Sequence, residues 1–99
     1  MTSKTVEFHE EARLESAAAF EWYFGRSEMA ASRFVVELNR AIALIAEAPQ
    51  RWPTGVRGTR RFLLQRFPFS VVYREFPSKI QVLAVAHGHR RPGYWKSRL

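Results

Sequence analysis

Ala31, Phe34, Val35, Leu38, Ile42 and Ile45 recur at steps of three and four, the spacing of a single apolar stripe along about four turns of α-helix. Past residue 60 the period changes to two. RRFLLQRF (60–67), FSVVYREF (69–76) and KIQVLAVAH (79–87) alternate as strands do, separated by Pro68 and by the turn PSK. A pattern laid out for 3.6 residues per turn cannot bury one face as a strand, nor can an alternating pattern do so as a helix. The chain therefore divides into a helical first half and a β second half. The loop between them is PQRWPTGVRGTR (49–60), with two prolines, two glycines and three arginines.

Local signals complete the first half. KTVEF (4–8) reads as a short strand, and HEEARLESAAAFEWYFGRS then turns helical. Glu10 and Glu11 fall in the first turn, where the helix dipole favours negative charge; His9 or a neighbour is the expected cap and Gly25 the end. Ser27 is a good N-cap for the second helix, Glu28 follows it, and Pro49 stops it. Joined only by GRS, the two helices form an antiparallel hairpin. Ala12, Ala19, Trp22 and Tyr23 lie near one face, and the triplet Trp22, Tyr23, Phe24 is assigned to the core rather than to a ligand box. Short links between the later strands imply antiparallel pairing. The expected fold is α+β: a strand, a helical hairpin and a three-stranded antiparallel meander. The helices pack on one face of a small, mostly antiparallel sheet, and the other face is left to the arginines and to a partner.

At 99 residues the chain supports one core, so residues 1–99 are expected to form one domain, and 46% hydrophobic content marks it as folded. The absence of cysteine excludes a disulfide framework and a thiolate zinc site. The start lacks a signal-peptide apolar region, and no run reaches the roughly 18 apolar residues of a membrane span. The expectation is a soluble, cytoplasmic protein with no membrane partner.

Charge is unevenly divided. Residues 1–50 carry five Lys or Arg against eight Glu, a net −3, whereas residues 51–99 carry eleven against Glu75 alone, a net +10. Thirteen of the sixteen basic residues are arginine, the side chain suited to bidentate grips on phosphate or carboxylate. A partner for the second half should be acidic, either nucleic acid or an acidic protein segment. The plainer alternative is a set of solvated arginines that serve solubility alone.

The order of elements, taken with FHEEAR, IAEAPQRWP, RRFLLQRFPFSVVYR and VLAVAHGHRRPGYW, resembles the RelE/ParE superfamily of small bacterial toxins, and more narrowly its ParE-like, plasmid-stabilisation branch. The resemblance spans essentially the whole chain. It implies the toxin of a type II toxin–antitoxin pair, neutralised by a cognate, ParD-like antitoxin that wraps its groove and sheet. It also implies that any contact with DNA runs through the antitoxin. ParE-like members bind DNA gyrase without known covalent chemistry; RelE-like members cut messenger RNA at the ribosome.

Metal-independent RNA cleavage needs a base, a cation for the developing phosphorane charge and an acid. His87, His89, Arg90 and Tyr94 are the candidate catalytic residues should the chain be such a ribosome-dependent endoribonuclease. Against that reading, RelE-like nucleases carry an arginine within the pattern aromatic-Arg-Leu-Val-Tyr, where FSVVY here places Ser70. A second RelE-like arginine corresponds to Gly88, while Tyr73 and Tyr94 remain. The first reading is therefore a non-enzymatic toxin that binds gyrase, without cofactor or metal. The second is the nuclease, and the third a basic nucleic-acid-binding module or inactive toxin. Binding to antitoxin or target is assigned to Arg57, Arg60, Arg61, Arg66, Arg90, Arg91 and Trp95. Alternation would set Arg60 and Arg66 on one face and Arg61 on the other. Trp95 and Tyr94 are expected to pack back after a turn at Pro92 and Gly93, and Trp52 to wedge the loop against the helices. The pair His87 and His89 falls short of the three or four ligands a stable metal site wants.

Overall fold

In a computed structural model that describes residues 4–99, the chain runs β1 (Thr5–Phe8), α1 (Glu10–Phe24), α2 (Glu28–Glu47), β2 (Thr59–Leu63), β3 (Phe69–Glu75) and β4 (Lys79–His87). Short 3-10 segments lie at Val56–Gly58 and Tyr94–Arg98. The caps fall where local chemistry asks for them: His9 Nδ1 accepts from the Glu11 amide at 3.0 Å and Ser27 Oγ from the Ala30 amide at 3.2 Å.

The sheet order is β1-β4-β3-β2. The meander β2-β3-β4 is antiparallel, and β1 joins β4 in parallel with Val6 beside Ile80 and Phe8 beside Val82. The helical hairpin covers the face that carries Val6, Phe8, Phe62, Val71, Tyr73, Ile80, Val82 and Val85. Helix α2 buries Ala31, Phe34, Leu38, Ala41 and Ile45, a strict 3-4-3-4 repeat. Ala41 belongs to it, whereas Val35 stands 38% exposed and Ile42 sits at the margin.

Three expectations need correction. Consecutive helical residues point about 100° apart, so an aromatic triplet cannot be buried together. Only Tyr23 turns to the core, meeting Phe34 and Phe67 at 5.6 and 5.0 Å between centroids; Trp22 and Phe24 are exposed. The first meander strand ends at Leu63 rather than Phe67, because Leu64 drops into the core and its amide closes onto Phe69 O at 2.9 Å. Arg66 thus leaves the sheet and its amide donates to Glu37 on α2, so it does not share a face with Arg60.

Nor is the second sheet face left open. Val72 pairs with Ala84 and Tyr73 with Val82, so Leu83 is an extra, bulged residue. Leu83, Ala84 and Val72 form a second small apolar cluster, and Tyr94, Trp95 and Leu99 of the C-terminal segment cover it. Gly93, at φ 75°, turns the chain back; a Cβ there would stand 2.6 Å from Lys96 Cε.

Candidate binding groove

The returning tail makes one wall of a groove of about 340 Å³. Ser70, Val72 and Ala86 form its floor, the open-face side chains of β3 and β4. Thr54, Arg60 and Arg61 line the β2 side, and Arg90, Arg91, Tyr94 and Trp95 the tail side. Among the described residues no carboxylate lines it.

The arginines differ in freedom. Arg60 donates through Nη1 to Gln50 O at 3.2 Å and Trp52 O at 2.8 Å, which ties it to the loop. Arg90 lies over the Tyr94 ring at 3.8 Å, with Nη1 4.0 Å from Glu15 Oε2. Arg61 and Arg91 are exposed and form no ion pair among the described residues. Arg57, held at φ 52° in the loop, and Arg66, against α2, lie outside the groove. Five of the seven binding candidates therefore converge, and two do not.

His87 and His89 stand 4.9 Å apart between ring centroids. His87 Nδ1 accepts the His89 amide at 3.0 Å, and its ring meets Phe69 edge-on at 5.0 Å. Among the described residues no three His, Cys, Asp or Glu side chains gather as a metal site would require. Ser70 and Gly88, the two positions where the nuclease resemblance would place arginines, both line the groove and supply no cation. Tyr73 lies on the opposite face, fully buried, and donates to Pro49 O at 2.6 Å. Burial raises its hydroxyl to about 12, a shift that nearby Arg60 moderates. Tyr94 lines the groove but donates to Glu15 Oε2 at 2.6 Å, and burial, then that bond, pushes its hydroxyl well above the ordinary range.

Glu15 is the residue that sequence reasoning missed. Its carboxylate also accepts from Arg98 Nη1 at 3.0 Å, Arg98 Nη2 at 2.8 Å and the Val85 amide at 3.0 Å. Burial alone would raise it, but those donors win and hold it below the usual carboxylate range. One signal was available: Glu15 sits three and four residues from Ala12 and Ala19, an acid on the buried stripe of α1. A second, apolar groove of about 500 Å³ opens between α1 and the ends of β3 and β4, lined by Ala18, Trp22, Tyr23, Phe69 and Val85. It meets the basic groove at His87 and Arg90.

A hairpin of helices on a four-stranded mixed sheet, with a groove lined by arginines behind it, defines a small basic α+β protein. The family described as "ParE toxin of type II toxin-antitoxin system, parDE" matches residues 6–92, and the chain belongs to it. Among solved structures it is similar to a chain titled "Chromosomal ParDE TA system from P. aeruginosa", at 20% identity and a TM-score of 0.74, covering 86% of this chain and 96% of that one. At that identity the likeness speaks for the fold. No protein of curated function matches. No helix among the described residues is long and apolar enough to cross a membrane.

Proposed function

We propose that this ParE-family toxin acts by binding, not by chemistry: its target is DNA gyrase, and a cognate antitoxin neutralises it by laying an acidic segment in the basic groove. The observation that carries this reading is the composition of the groove. Arg61 and Arg91 stand ready for carboxylates, while Ser70 and Gly88 supply neither of the two arginines that the nuclease resemblance would set against a developing phosphorane. The tyrosines support the same reading, since both hydroxyls are held by other groups and neither is poised to give up a proton near neutral pH. Family membership supports the antitoxin, and the acid-free lining supports its charge.

Induction of the chain in a bacterial host, with and without the small gene beside it, tests the reading. Growth arrest relieved by the neighbour, inhibition of gyrase supercoiling by the purified toxin, and intact messages are expected. Rapid messenger cleavage at ribosomes, abolished by substituting His87, His89 and Tyr94 together, would overturn it in favour of the nuclease.

A further inference from the structure

We propose that Glu15 is the positioning residue of the basic groove, clipping the C-terminal segment in place so that Arg90 and Arg91 form its second wall. This rests on the reading of the groove as the binding site for an acidic partner. The topology creates the need for the clip. Strand β1 ends at Phe8, where the His9 amide donates to Val82 O at 2.8 Å, so β4 runs on with no strand on that side. Two of its backbone groups there are met by side chains instead: Arg98 Nη1 donates to Leu83 O at 2.9 Å, and Glu15 Oε1 accepts from the Val85 amide. The same carboxylate takes the Tyr94 hydroxyl and both Arg98 nitrogens. One side chain on α1 thereby joins the helix, the uncovered edge of β4 and the tail.

The apolar contacts of Tyr94, Trp95 and Leu99 with Val72, Leu83 and Ala84 attract the tail but do not fix its register, because burial is not directional. Charge-assisted hydrogen bonds are directional. Glu15 and Arg98 are only 15% and 11% exposed, which shields their geometry from solvent. Arg90, stacked on Tyr94, inherits its position from the clip, and Arg91 follows it. Arg91 does not touch Glu15, so any influence of one on the other passes through the placement of the tail.

The test is a thermodynamic cycle on the full chain, with a fluorescein-labelled oligoglutamate peptide as probe and anisotropy at low salt as readout. In the native background, Arg61→Ala and Arg91→Ala should each weaken binding about tenfold, the worth of one charge-assisted contact. In Glu15→Gln, Arg91→Ala should cost less than about twofold while Arg61→Ala keeps its full effect, a split that general destabilisation would not produce. An equal cost of Arg91→Ala in both backgrounds overturns the inference. Should Glu15→Gln fail to fold, Tyr94→Phe, which removes one donor only, carries the same test. If neither arginine matters in the native chain, the groove is not the acidic-partner site, and the proposed function falls with respect to it. The clip is then judged without a probe, by hydrogen exchange at the Tyr94, Lys96 and Leu99 amides, which the folded tail engages. Exchange at least about tenfold faster in Glu15→Gln is expected, and unchanged exchange overturns the clip.

Discussion

Tyr73→Phe separates a structural tyrosine from a catalytic one. The Tyr73 ring is fully buried on the helical side of the sheet, and its hydroxyl donates to Pro49 O at 2.6 Å, holding the end of α2 and the start of the long loop against β3. Removing one oxygen opens little space, so the cost comes from the carbonyl left without its partner. That loss is worth about 1–3 kcal/mol, and about 2 for a short bond at a fully buried ring. In a chain of 99 residues this lowers Tm by roughly 10 °C, at 4–8 °C per kcal/mol. Urea unfolding followed by far-UV circular dichroism should show a lower midpoint with an unchanged m-value. The difference depends on pH in a fixed direction. Tyr73 is raised from 10.0 to about 12 by burial, so its contribution is complete below pH 10 and is lost as pH climbs toward 12. The gap between native chain and variant should therefore close over that interval. Growth inhibition by Tyr73→Phe should persist wherever the protein stays folded. A variant as stable as the native chain, or one folded yet harmless, would refute the assignment of this hydroxyl to structure.

Further outcomes follow from the same contacts. Arg98→Met leaves Glu15 short of its main counter-charge and Leu83 O without a donor, so a loss of about 2–3 kcal/mol is expected in urea unfolding, reduced from the full cost of a broken buried pair because the tail can release Glu15 to water. Glu15 is held below 4.5 when folded, so its contribution is present above that pH and disappears as pH falls through the lower folded value; the deficit of Glu15→Gln should shrink below pH 4.5. Gly93→Ala forces a side chain into a left-handed turn and onto Lys96, and should cost about 1–2 kcal/mol with faster exchange at the tail amides. Arg61→Glu with Arg91→Glu should abolish antitoxin binding while thermal stability stays within about 0.5 kcal/mol, since neither side chain holds the fold together.

What the sequence made legible divides by the range of the interaction. The caps at His9 and Ser27 and the stripe of α2 depend on residues a few positions apart, and they stand where the spacing placed them. The end of β2 depends on where Leu64 and Phe67 can be buried; FLLQRF alternates well enough to pass for strand, but the core draws both side chains inward and bends the chain before Pro68. Trp22 and Phe24 were misplaced by weighing aromatic character above the 100° step between neighbours on a helix. The fold-back of Tyr94 and Trp95 followed from the Pro92–Gly93 turn. The destination of Arg98 did not, because its partner lies 83 residues away on α1.

That distant pair changes the meaning of the charge imbalance. A net +10 over residues 51–99 suggests a surface basic throughout, yet acids from the first half reach across to part of it: Glu7 pairs with Lys79, and Glu15 with Arg98. Within the second half itself, Glu75 is taken up by Lys4. These pairs lie along β1, α1 and the strand edges, and none places a carboxylate in the groove. Of the cations that do line it, Arg60 is tied to loop carbonyls and Arg90 to an aromatic ring. The guanidinium groups with donors left open to a visitor are therefore chiefly Arg61 on the β2 wall and Arg91 on the tail wall, across a floor of Ser70, Val72 and Ala86. A phosphate backbone presents a uniform row of charges and would gain from every cation on the surface, Arg57 and Arg66 included. Two guanidinium groups without an ion pair among the described residues, on separate walls of a small, partly apolar floor, favour a segment with carboxylates on both flanks and a modest side chain between them, which is the recognition expected of a protein rather than a nucleic-acid partner.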